Sequence, residues 1–455
     1  MEMMGTDAIW NLCRFVSAIR LEELDPSLVS HSRLILVDTI GAIIAGSPRE
    51  EISRLLAQLL RDESGGSGAA CLGRPERASP LTAAMVNGIA GSSLEFEEGN
   101  SWAYGHPAIQ MVPALVAECE RRRSSGKELL AGLIGGYESA ARVSRASTLR
   151  KGLHPNGTWG TVGAALGVGR VDGRTGEELY KIANLSSSFA ISPYVKNSFV
   201  GENVASTFAG VSNYFGLLSN VFFDSGIRAE ASSLKMTFSR FVSDRFQEEA
   251  LDEGLGRDYF IKANYFKPYP SCRFTHSPVD ALKAIVQQRA LQPEDVEGIS
   301  VETFQAAMHC DTQSPSNPEA IRFSIPYLLA IVILYGDLTL ETMEEASTED
   351  PRLKALAGKV EMKALARYEK VRPRHNPTRV MIRLKDGQTL SHELMNASGD
   401  ALSPLGEEGL FKKFVSLAGP VIGKGRAETF WEKSYHPEKL EDVKPLIGLL
   451  RPPEQ

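Results

Sequence analysis

Apolar residues in the first part of the chain recur at helical spacing. Ile9, Leu12, Phe15, Val16 and Ile19 form one stripe over Asp7–Ile19. Ser27–Ala45 is apolar on all sides, which predicts a buried helix, and Asp38 within it is a candidate buried carboxylate. Buried charges are normally paired, so Asp38 is expected to accept bonds from a neighbouring helix end. Further helices are predicted over Pro80–Gly91, Pro113–Arg123, Glu128–Val143 and Thr158–Arg170. The last two carry Ala131, Gly132, Gly135, Gly136, Gly163 and Gly167, a pattern that trades helix propensity for close backbone approach. Gly65–Gly68 reads as a flexible loop.

The pattern changes near residue 265. Asn264–Ser271 is punctuated by prolines, and a helix is predicted over Ser277–Gln288. Val296–Phe304 alternates and contains β-branched residues, so it reads as a strand. Arg379–Leu384 and Thr389–Leu394 flank Asp386-Gly387, a hairpin signal with a two-residue turn. From Pro404 the chain is helical again, and amphipathic Glu407–Leu417 is expected to pack back on the first domain. The fold class is therefore mainly α. Residues 1–264 and 399–455 are expected to form a large all-helical domain, and residues 265–398 a smaller α+β domain.

Composition narrows the function. The chain has 455 residues and a net charge of -6, which argues against a general nucleic-acid binder. No basic-then-apolar leader opens it, and no run of about 20 apolar residues stands out, so no membrane partner is expected. Five dispersed cysteines without a Cys-x-x-Cys argue against a thiolate metal cluster and fit free thiols in a reducing cytoplasm. Gly163–Gly169 has the spacing of a dinucleotide loop. Such a loop needs a preceding strand, and here the preceding segment is Gly-rich and helical.

Two histidines carry the candidate chemistry. His106 and His154 each precede a proline and sit among glycines, tryptophan and small polar residues. Imidazole titrates near neutral pH, so paired His-Pro turns suggest proton transfer.

The order of several motifs resembles one family. Leu36-Val-Asp-Thr-Ile-Gly41, Ala84-Met-Val-Asn-Gly88, Leu94-Glu-Phe-Glu-Glu98, Gly105-His-Pro107, Gly136-Tyr-Glu138, His154-Pro155 with Gly157-Thr-Trp-Gly160, Phe266-Lys-Pro-Tyr-Pro270 and Arg322-Phe-Ser-Ile-Pro-Tyr327 follow the pattern of the MmgE/PrpD family. That family contains 2-methylcitrate dehydratase, cis-aconitate decarboxylase and iminodisuccinate epimerase. The resemblance implies a helical domain with an α+β lid, a homodimer, a small polycarboxylate substrate, and no metal or organic cofactor. It also implies a common hard step, making or quenching a carbanion-like centre beside a carboxylate. Such a step needs a base, donors for the developing charge, and cations for the remaining carboxylates.

On that resemblance His154 is the candidate base and His106 the candidate acid, with the order of roles left open. Lys267, Lys196 and Arg273 are candidate carboxylate holders. Amides at a helix start near Thr158 are a further anion site. Tyr327 is expected to line the lid. Glu95 and Glu98 lie one helical turn apart, so in a helix they share a face and could orient His106 or hold a hydroxyl or amino group. The chain has glutamates where the family commonly has aspartates, Gly99 where the decarboxylase branch has threonine, and Asn197 where relatives often have histidine after lysine. The leading expectation is a hydro-lyase of the 2-methylcitrate dehydratase kind. An epimerase of an amino- or imino-dicarboxylate, a decarboxylase, and an inactive helical binding protein are the alternatives.

Overall fold

A computed structural model describes residues 7–61, 63 and 68–453. The glycine-rich stretch 65–68 falls, but for Gly68, outside the described residues. The chain is mainly helical and divides into two compact units. The first unit comprises residues 1–194, 206–264 and 406–455, and the second comprises 195–205 and 265–405. The return to the helical unit thus falls at 406, not 399. The segment 195–205, expected in the helical domain, groups with the second unit. There Phe199 packs against His309 and Phe323, and Asn317 Nδ2 donates to the Val200 carbonyl at 3.0 Å.

The helices of the first unit follow the hydrophobic pattern, with ends set by caps. Asp7 accepts from the backbone N–H of Ile9 and Trp10 and starts Ala8–Ala18, which buries Ile9, Leu12, Cys13 and Val16. Ser125 and Glu128 form a capping box on Gly126–Ala146, two residues ahead of the expected start. Pro26–Gly46 is buried on nearly all sides. By length and composition it could cross a membrane, contrary to the sequence expectation, but 72% of its most apolar window lies inside the protein. Asp38 within it, expected to meet a helix end, pairs with the Lys413 side chain in the middle of helix Gly406–Ile422.

Small residues explain the tightest packing. A Cβ on Gly136 would lie 2.7 Å from the Gly163 carbonyl oxygen, and one on Gly163 would lie 2.8 Å from that of Gly136. Gly132 and Gly167 repeat this reciprocal contact at 2.9 Å. Helices Gly126–Ala146 and Gly160–Val171 therefore meet backbone to backbone.

The second unit has a four-stranded sheet in the order Thr389–Leu394, Thr378–Leu384, Val296–Thr303, Val360–Ala364. The first two pairings are antiparallel and the last is parallel. Register pairs Ile299 with Ile382 and Val301 with Val380 on the core face. They pack with Val279, Leu282 and the wholly apolar helix Ile325–Tyr335. The predicted hairpin is present, but its loop has three residues. Leu384 N–H bonds the Gln388 carbonyl, and Gly387 takes the left-handed position at φ 89°.

Candidate active site

The site is built in the first unit from two loops. One is Leu94–His106, which follows helix Pro80–Ser92, and the other is His154–Trp159, which precedes helix Gly160–Val171. The expected helix start near Thr158 therefore falls two residues later, and two amides of the loop before it are taken. Asn156 N–H goes to His154, and Gly157 N–H goes to Gln110 Oε1 at 2.8 Å.

Two buried amides tie the loops together. Asn156 Oδ1 accepts from the His106 backbone N–H at 3.4 Å and from Gln110 Nε2 at 3.2 Å. Gln110 Nε2 also reaches the His106 carbonyl at 3.1 Å, while its Oε1 receives Ser212 as well as Gly157. A Cβ on Gly160 would lie 2.0 Å from Gln110 Oε1, so glycine is needed there for the amide to fit. Neither Gln110 nor Asn156 stood out in the sequence, because each is an ordinary polar residue until folding buries it between the loops.

The two imidazoles have opposite hydrogen-bond commitments. His106 Nδ1 lies 2.7 Å from the Glu98 carbonyl oxygen. A carbonyl only accepts, so Nδ1 carries the proton and Nε2 of the neutral ring is unprotonated, an acceptor nitrogen. His154 Nδ1 lies 3.0 Å from the Asn156 backbone nitrogen. That amide only donates, so Nδ1 is the acceptor and the neutral ring presents Nε2–H. Burial pushes the His154 imidazole down to about 4, against the pull of the Glu95 carboxylate and with the help of nearby His106. Glu95 and His106 are thus close enough to His154 to act on its charge. The Phe208 ring, 5.3 Å from that of His154, forms an apolar wall.

The acidic loop differs from the sequence expectation. Residues 94–98 are not helical, so Glu95 and Glu98 do not share a helix face. Glu95 adopts φ 52°, a strained conformation for a side chain of its kind. Glu98 orients His106 through its main-chain oxygen, while its carboxyl is buried and accepts from Ala108 N–H and from the Tyr137 hydroxyl, both at 2.9 Å. Burial pushes the Glu98 carboxyl up to about 8, with a further push from Asp38, so it is protonated at neutral pH.

Glu97, which sequence reasoning passed over, is fully buried, with Oε1 4.0 Å from His106 Nδ1. Glu95, Glu97 and His106 bring ligand atoms within 4.8 Å of one another, so this group has the donors to hold a cation. The buried indole of Trp159 packs beside Gly105, and its Nε1–H has no protein partner among the described residues.

The remaining candidates belong to the second unit. Lys267 is fully buried between Phe266 and Pro268, which rules out an exposed linker lysine. Arg273 is buried, ion-paired with Asp400, and stacked 4.7 Å over the Tyr265 ring. Its guanidinium therefore already holds a carboxylate of its own chain. Tyr327 corrects the expectation of a lid-lining hydroxyl. It sits in the apolar core with its OH 2.7 Å from the Ser347 carbonyl. Lys196 is exposed at the start of the short helix Lys196–Phe199.

Comparison with known proteins finds one family matched over most of the chain. The MmgE/PrpD N-terminal domain matches residues 11–199, and the C-terminal domain matches 269–434. A cis-aconitate decarboxylase of Aspergillus terreus is 22% identical over 97% of this chain and 95% of its own. Those of Homo sapiens and Mus musculus are each 23% identical, covering 96% and 99% of this chain and 93% and 95% of their own.

Proposed function

The chain belongs to the MmgE/PrpD family, whose relatives matched here are lyase-type enzymes, and from that premise we propose that it is a cofactor-independent lyase of a small polycarboxylate. The observation that carries this reading is the opposite commitment of the two histidines. His106, with its Nε2 unprotonated, is the base that takes a proton from the carbon beside a carboxylate. His154, neutral with its proton on Nε2, donates a hydrogen bond to the oxygen on which charge develops. This reverses the order of roles first expected from the sequence. Neutral imidazole suits that task because it stabilises charge without first needing to be protonated.

With one accepting and one donating nitrogen, elimination of water is the favoured reaction. The C–H electrons become the new double bond as the adjacent C–O bond breaks. The proton taken from carbon and the departing hydroxide make the released water. No oxidant or reductant is required. The second reading is decarboxylation, favoured by the names of the relatives. There the C–C electrons left by carbon dioxide take a proton held on His106. Gly99, in place of the threonine of the decarboxylase branch, favours the first reading.

The test is a panel of citrate-like hydroxy acids and cis-aconitate in deuterated water, followed by NMR. Alkene formation from a hydroxy acid supports the dehydratase. Carbon dioxide release from cis-aconitate moves the reading to the decarboxylase. Exchange at the α-carbon without alkene moves it to an epimerase. His106→Ala should abolish exchange. His154→Ala should slow it by ~100 to 1,000-fold, the usual effect of losing one donor to a developing oxyanion.

A further inference from the structure

The acidic loop that orients His106 is itself gripped from the far end of the chain. Lys413, on helix Gly406–Ile422, donates from Nζ to Asp38 Oδ1 at 2.6 Å and to the Phe96 carbonyl at 2.9 Å. The same ammonium lies 4.6 Å from the centre of the Phe96 ring. Both charged side chains are buried, at 7% and 2% exposure. Stability alone is a weak reason for such a pair, because a well-packed apolar pair of similar volume is often as stable or more so. The bond to Phe96 is what an apolar pair would not supply.

Phe96 sits at the centre of the irregular loop. Glu95, before it, is the left-handed residue whose charge acts on His154, and Glu97, after it, approaches His106. Two residues on, the Glu98 carbonyl receives His106 Nδ1–H. Lys413 therefore fixes the backbone from which three functional contacts hang. Asp38 pairs with the Lys413 charge, so the ammonium is not left unpaired in the interior.

We propose that Lys413, paired with Asp38, is a positioning residue that sets the acidic loop in register and so holds His106 in its base-competent tautomer. The proposal rests on the reading of His106 as the base.

The experiment compares wild type with the double variant Asp38→Asn/Lys413→Met, which removes both charges without stranding either. Histidine nitrogen signals are read by NMR, and turnover is read on the substrate identified above. The double variant is expected to lower kcat by about 100-fold, the scale of an ångström-sized misplacement, with KM within about threefold. The His106 signal should change from the pure Nδ1–H form to a mixture. Wild-type kcat together with an unchanged His106 signal would overturn the proposal. If wild type turns over none of the acids, the functional reading fails, while the nitrogen signal still decides the clamp. Should the double variant not fold, Lys413→Arg decides. Its longer planar group misfits both contacts, so kcat should fall about tenfold at unchanged thermal stability, and a wild-type kcat would overturn the proposal.

Discussion

Replacing Glu98 with glutamine should leave the protein intact at pH 6 and make it more resistant to alkali than wild type. The Glu98 carboxyl is pushed from 4.5 to about 8 by burial, so the folded protein binds a proton that the unfolded chain releases. The sign follows from linkage. A raised carboxyl contributes stability that is fully present below the unfolded pKa of 4.5 and is lost as pH rises through the folded value of about 8. At 1.36 kcal/mol per pH unit, the loss between pH 6 and pH 8 is about 2 kcal/mol. Glutamine mimics the protonated acid. Its oxygen can accept from Ala108 N–H, and its nitrogen can donate to the Tyr137 oxygen once that hydroxyl turns. Glu138, also buried and pushed up to about 7, titrates in the same window, so the informative quantity is the difference between wild type and variant. The assay is thermal unfolding of both proteins at half-unit steps from pH 5.5 to 8.5. Wild type should lose stability faster than the variant from pH 5.5 to about 8, so the curves should cross or diverge over that range. Parallel curves would refute the argument, because they would mean that Glu98 is already ionised at pH 6. Activity at pH 6.5 should stay within about threefold, since the contact to His106 comes from the main chain.

Three further outcomes are expected. Gly163→Ala places a methyl group 2.7 Å from the Ala140 Cβ and 2.8 Å from the Gly136 carbonyl, so it should cost about 1–3 kcal/mol in unfolding experiments with little change in KM. Gly160→Ala drives a methyl group against Gln110 Oε1, so it should reduce kcat more than stability, and a variant with normal kcat would remove Gln110 from the argument. Micromolar zinc should inhibit turnover by engaging Glu95, Glu97 and His106, with relief by chelator, and Glu97→Gln should weaken that inhibition at least tenfold.

Helical periodicity and β alternation made most elements legible in the sequence, and both histidines could be singled out, because these features depend on local spacing. The roles of the histidines were not legible. They depend on which backbone group meets Nδ1, a carbonyl from Glu98 for one ring and an amide from Asn156 for the other. The Glu95/Glu98 pairing was misread because a three-residue spacing marks a shared face only inside a helix. Here the helix ends at Ser92, and the strained turn at Glu95 sends the two side chains to different partners. Asp38 was recognisable as buried, but its partner lies in the last tenth of the chain, beyond any local pattern.

The strain at Glu95 and the glycine contacts between helices belong to one argument. A left-handed glutamate costs of order 1–3 kcal/mol and persists only where its surroundings over-determine it. Four constraints converge on this loop: the Lys413 bond to Phe96, the two bonds to the Glu98 carboxyl, and the Glu98 carbonyl bond to His106. The opposing loop is fixed at its downstream end by helix Gly160–Val171, which the reciprocal glycines press against Gly126–Ala146. Each histidine is thus oriented by backbone whose own position is held by buried contacts. A proton-transfer pair needs that rigidity, because the unprotonated nitrogen and the N–H must reach neighbouring atoms of one small substrate.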